Sequence, residues 1–229
     1  MFFFDPTYLI FMIPAFILMG ITSWYVRSSY SKWSKVRASS GLTGAQAAQR
    51  LISTGNLYGV QIQGVRGNLT DHYDPRNKTL NLSQGVVNSP SVAAVAIAAH
   101  ELGHAMQDAE DYIPLRFRAA LVPAVNIGSY LGWIMIMAGL LLRMTNLAWL
   151  GVLVFSGGAL FALITLPVEF NASARAKQLL VQTGIIQTDQ EMRGVNAVLN
   201  SAALTYVAGL VTALMQLLYF ATLVGGRRR

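Results

Sequence analysis

Between Ala96 and Asp108 the chain reads AIAAHELGHAMQD, with His100 and His104 four positions apart and Glu101 beside the first. On a helix, residues four apart lie on one face about one turn apart. Both imidazoles can then reach a single divalent ion at roughly 2 Å. Glu101 is rotated about 100° from His100 around the helix axis, so it can hold and deprotonate an ion-bound water instead of binding the ion itself. Gly103 leaves that side of the helix open to close approach by backbone or substrate. The preceding run VAAVAIAA (Val92 to Ala99) reads as buried helix. Buried polar side chains need partners, so a histidine pair in this setting points to metal binding rather than to two solvated rings.

An ion held for catalysis usually takes about three protein ligands plus a water. The chain has no cysteine and only one further histidine, His72. Glu169, in LPVEFNASARAKQLL, is the candidate third ligand. It stands where a long apolar stretch ends, and an ionisable group at a membrane boundary is expected to have a partner. Glu110 lies too near His104 along the same helix to bend back, and Glu191 sits among loop-like polar residues. Asp108, four residues after His104, is a candidate to orient that imidazole through a hydrogen bond. Zinc is the expected ion on motif convention and ligand type, although imidazole also suits iron, nickel and cobalt.

The elements that must position these residues are set by a membrane composition. Of the 229 residues 54% are hydrophobic and 12% charged, against about a quarter charged in soluble domains. Four stretches have the roughly 20 apolar residues that a bilayer crossing takes: Pro6–Val26, about Leu121–Leu142, about Leu147–Val168 and about Ala202–Val224. The first lacks a basic n-region and a small-residue cleavage site, so it is expected to be an uncleaved anchor. The net charge of +7 is explained by basic residues beside apolar spans; no arginine-rich stripe with interleaved aromatics points to nucleic acid. A transporter would carry charged residues mid-span in a repeated pattern, and none is present.

The expected organisation is an N-terminal anchor over residues 1–26, an α+β domain over 27–120, a membrane hairpin over 121–168, a helical segment over 169–201, and a last span with a basic tail over 202–229. In the α+β domain, Thr43 should cap a helix from Gly44 to Thr54 that Gly55 closes. Leu57 to Val65 alternates as a strand does. A turn around Asp74-Pro75-Arg76-Asn77 leads into a strand from Thr79 to Ser83. Ser89 as N-cap and Pro90 at the first helical position should open the motif helix, which runs to about Asp108. Ten lysines and arginines in the first polar piece and three in the second, against Arg143 alone between the middle spans, put both polar pieces in the cytoplasm. That topology leaves Arg227, Arg228 and Arg229 outside, as an exception to the rule.

The blocks AAHELGHAMQDAEDY, DHYDPRNKTLNLS, LPVEFNASARA and VLNSAALTYVA together resemble the YugP-type neutral zinc metallopeptidases of bacterial membranes, through nearly the whole chain. The Glu169 block is also similar to the E-x-x-A-D helix of HtpX-type membrane peptidases. Here Ser173 replaces the aspartate, so a second carboxylate is not carried over to that position. The resemblance implies a mainly α membrane protein with four transmembrane helices and a small cytoplasmic zincin-like α+β domain. It also implies a zinc peptidase of the bacterial inner membrane, acting on protein substrates, membrane proteins among them. Zincins of this layout lay substrate along an edge strand by strand addition, for which Thr79–Ser83 is the candidate. His72 or Tyr206 is the candidate donor to the oxyanion of the tetrahedral intermediate. The competing class is a non-catalytic membrane scaffold with a structural metal, which would normally take four protein ligands.

Overall fold

A computed structural model describes residues 5–226; the Arg227–Arg229 tail lies outside the described residues. The described chain is mainly helical with one small sheet. In order it forms α1 (Pro6–Trp33), α2 (Gly44–Thr54), β1 (Gln61–Val65), β2 (His72–Asp74), β3 (Thr79–Ser83), α3 (Gln84–Val87) and α4 (Val92–Ala109). There follow α5 (Ile113–Leu141), α6 (Thr145–Phe155), α7 (Gly157–Gln182) and α8 (Asp189–Gly225). Four helical segments are long and apolar enough to cross a membrane: α1, α5, α6 with α7, and α8. The helices outrun the apolar stretches into their polar flanks. Glu169 therefore stands inside α7, well before its end at Gln182.

The chain divides into two compact units. One comprises Met1–Thr22, Arg116–Pro167 and Thr205–Arg229, and the other Ser23–Leu115 with Val168–Leu204. In the first, Ile136, Leu140, Ala148, Val152, Tyr219 and Phe220 form a buried cluster, and Tyr219 donates a hydrogen bond to Asp5.

The second unit holds the sheet and α4. Thr43 and Gln46 form a reciprocal capping box at the start of α2, satisfying two backbone N–H groups that a helix start leaves unpaired. Gly44, Ala47, Ala48 and Leu51, one face of α2, are buried, and the last three belong with Ala93, Ala96, Ala99 and Leu102 of α4 to one apolar core. The sheet order is β1-β3-β2, with β1 parallel and β2 antiparallel to β3. This corrects the expectation that Thr79–Ser83 is an edge strand. It is the central strand, paired on both sides, and all five of its residues are buried. Asp71 anchors its end by accepting hydrogen bonds from the Ser83 N–H and hydroxyl. The edges are β1 and β2, the latter a short strand that the turn signal at Asp74-Pro75 had hidden.

A second correction concerns the start of α4. The N-cap is Ser91, whose hydroxyl accepts from the Ala94 N–H, and not Ser89. Residues 89–91 stay extended because they pair with a distant segment. Ala38 N–H donates to the Pro90 carbonyl, and Val92 N–H to that of Val36.

Within this unit α4 and the second part of α7 run antiparallel in backbone contact. A Cβ built on Gly103 would lie 2.5 Å from the Ala172 carbonyl oxygen, a separation that real side chains do not adopt. The residues facing each other across this seam are 100 with 173, 103 with 172, 104 with 169 and 107 with 168. Gly103→Ala should therefore destabilise the protein by roughly 1–3 kcal/mol, as overpacking does, despite the better helix propensity of alanine. Gly209→Ala in α8, where a new Cβ meets nothing within 4 Å, should be neutral or better. Thermal unfolding of the detergent-solubilised variants checks this, and a Gly103→Ala protein as stable as wild type would contradict the close contact.

Candidate active site

The seam brings His100, His104 and Glu169 together. One ligand atom from each lies within 4.8 Å of the others. Glu169 Oε2 is 3.3 Å from His100 Nε2 and 3.6 Å from His104 Nε2. Bonds of about 2.05 Å to a tetrahedral ion separate ligand atoms by roughly 3.3 Å, so these spacings fit zinc. The imidazole planes stand at 84° with centroids 4.9 Å apart, so the rings converge on one point without stacking. The side chains of His100, His104 and Glu169 are 14%, 11% and 3% exposed, so the carboxylate is the most enclosed of the three. Burial pushes the His104 pKa down, but the hydrogen bond to Glu169 and the charges of Glu101 and Glu169 outweigh it, and the net direction is up.

The other nitrogen of each ring is also engaged. Gln107 Nε2 donates to the Val168 carbonyl at 2.8 Å and to Asn171 Oδ1 at 3.0 Å. A carbonyl can only accept, so this fixes the amide with Oε1 turned to His104 Nδ1, 3.0 Å away. Nδ1 must then carry a proton, so in the neutral ring it is the Nε2 lone pair that is left to bind an ion shared with Glu169. Ser173 Oγ lies 3.2 Å from His100 Nδ1, so the serine that replaces the aspartate of the HtpX-type pattern still contacts that imidazole. Asn171 Oδ1 also accepts from Arg175 Nε at 2.7 Å, and Arg175 forks onto the Glu110 carboxylate with two bonds of 2.7 Å. This pair holds the Glu110 pKa below the usual carboxylate value.

Asp108, expected to orient His104, instead accepts from the Tyr73 hydroxyl at 2.9 Å. The reason is the direction of the crossing: position 107 faces α7, whereas 108 faces β2. Burial first, then the bond to Asp108, drive the Tyr73 pKa well above its ordinary value, so the phenol stays a donor. The same residue's backbone N–H donates to Glu101 Oε2 at 3.1 Å. Glu101 is thereby tied to the edge strand, while His100 and His104 converge on Glu169.

Of the remaining expected residues, His72 sits exposed on β2 with Nδ1 2.9 Å from the Thr70 carbonyl, outside the donor cluster. Tyr206 lies in the stretch of α8 that belongs to the first unit. Glu191 is consumed structurally: its carboxylate accepts from the backbone N–H groups of Ser39, Gln187 and Thr188. Gln107 and Asn171 were missed by the sequence reading. Their only signal was helical spacing, three after His104 for the first and two after Glu169 for the second.

Residues 8–225 match the profile of a family described as "Putative neutral zinc metallopeptidase". The chain belongs to this family. It is also 45% identical over 215 residues to a Bacillus subtilis protein named "Putative membrane protease YugP", a match covering 93% of this chain and 95% of that one. No solved structure matches the chain. In this member of the neutral zinc metallopeptidases the histidines, Glu169 and Glu101 thus lie in a family for which a zinc site is implied. Gln107→Leu should weaken zinc binding by about 10–100-fold, the usual cost of losing a partner that orients a ligating imidazole. Asp108→Asn should stay within about threefold. Competition against a chelator of known affinity measures both, and a larger effect at Asp108 would reverse the assignment.

Proposed function

We propose that this chain is a zinc-dependent endopeptidase of a bacterial inner membrane, cutting protein substrates at the cytoplasmic face. The observation that carries the proposal is the convergence of His100 Nε2, His104 Nε2 and Glu169 Oε2 beside a carboxylate, Glu101, that the cluster does not include. Among the described residues the cluster supplies three donors, the number typical of catalytic rather than structural zinc. Bound there, zinc would lower the pKa of a water to about 7 and polarise the scissile carbonyl.

The chain's own groups supply the remaining steps. Glu101, with Oε2 held by the Tyr73 N–H, presents Oε1 as the base that takes the proton of the attacking water and returns a proton to the departing amine. The substrate main chain lies along β2, the sheet edge next to α4, in a zincin-like arrangement. His72, exposed on that strand, is the proposed donor to the developing oxyanion. The cytoplasmic placement is supported by the lysines and arginines of both polar pieces. Membrane proteins are the proposed substrates, since four helices long and apolar enough to cross a membrane keep the enzyme with them.

Glu101→Gln tests the reading. The variant should retain its zinc and lose cleavage of a membrane-protein substrate pool by about 10²–10⁴-fold, the contribution of a positioned base. The comparison is made by identifying fragments that wild type produces in its own membranes and the variant does not. Unchanged cleavage by Glu101→Gln protein would remove Glu101 as the base.

A further inference from the structure

We propose that the groove between the end of α1 and the start of α8 binds the head group of one anionic phospholipid. The groove, about 630 Å³, is formed wholly within the second unit. On α1 its wall is the row Trp24, Ser28 and Lys32, each four residues after the last, which makes a single ridge, with Val36 just past the helix end; on α8 it is Gln190, Arg193 and Ala197. The floor is built for close packing. Gly194 lies against the Trp33 ring, where a Cβ would fall 2.5 Å from a ring carbon.

The chemistry changes along the groove in the way an amphiphile does. One end, at Trp24 and Tyr25, belongs to the apolar stretch of α1, and both rings are exposed. The other end carries two cations, Lys32 and Arg193, and no acidic residue lines the groove. The first turn of α8 carries two acids, Asp189 and Glu191, neither of which lines the groove, and Glu191 is engaged in capping the helix and holding the Ser39 N–H. Lys32 Nζ lies 5.2 Å from the Trp33 ring centroid, a cation–π contact that steadies the ammonium over the groove. Two cations beside serine hydroxyls and the Gln190 amide suit a phosphodiester and its hydroxylated head group. The aromatic end suits the glycerol and upper acyl chains. A soluble anion would use the cations but not the exposed tryptophan.

Native mass spectrometry of the purified full-length protein tests this with phosphatidylglycerol and phosphatidylcholine of the same acyl chains. One phosphatidylglycerol should be retained per chain in at least roughly tenfold preference over phosphatidylcholine. The pair Lys32→Gln with Arg193→Gln should reduce that retention by about tenfold or more, as loss of two cations at a lipid phosphate does. The charge-keeping pair Lys32→Arg with Arg193→Lys should restore it. Arg27→Gln with Lys35→Gln, an equal charge change at exposed positions outside the groove, should leave it within about threefold. Equal losses for the two glutamine pairs would mean diffuse surface attraction and overturn the site. So would equal retention of the two lipids, or displacement of the lipid by millimolar inorganic phosphate.

Discussion

The backbone contact between α4 and α7 at Gly103 and Ala172 is the constraint on which the site depends. Two imidazoles one helical turn apart can point at a common spot, but a glutamate side chain reaches that spot only from a helix that comes very close. Glycine on one side and a run of small residues on the other, Ala172 and Ala176, both fully buried, permit that approach. The glycine inside HExxH therefore serves the geometry of the metal cluster and costs some helix propensity to do so.

Around this contact the polar groups form a chain with few free choices. Glu110 holds Arg175, which holds Asn171, which shares Gln107 with the Val168 carbonyl, and Gln107 sets the protonated nitrogen of His104. A second chain runs from Asp108 through Tyr73 to Glu101. In a low-dielectric interior a satisfied network of this kind is rigid, and an unsatisfied one is costly. The two chains leave α4 from adjacent positions, 107 and 108, and so assign the histidine to α7 and the carboxylate to the edge strand.

The parts of this arrangement that were legible in the sequence are those set by spacing along one helix. The i, i+4 histidines, the neighbouring glutamate, the N-cap at Thr43 and the four apolar stretches all follow from local sequence pattern. Glu169 was reached by charge and topology together, without any local signal linking it to His100. What was not legible depends on partners far apart in the chain. Thr79–Ser83 became the central strand because β2 pairs on its other side. Ser91 became the cap because Val36 and Ala38 hold residues 89–91 extended. Gln107 displaced Asp108 as the partner of His104 because only the crossing of two helices decides which of two neighbouring positions faces α7.

The family, the apolar helices and the donor cluster converge on a single centre shared by α4 and α7. The most direct test is zinc stoichiometry with X-ray absorption at the zinc edge, on wild-type protein and on Glu169→Ala. The account predicts one zinc per wild-type chain, with two imidazole nitrogens and oxygen ligands at about 2.0–2.2 Å, and severe loss of zinc from the variant. Full zinc occupancy with an unchanged spectrum in Glu169→Ala, or a third imidazole in the wild type, would contradict it.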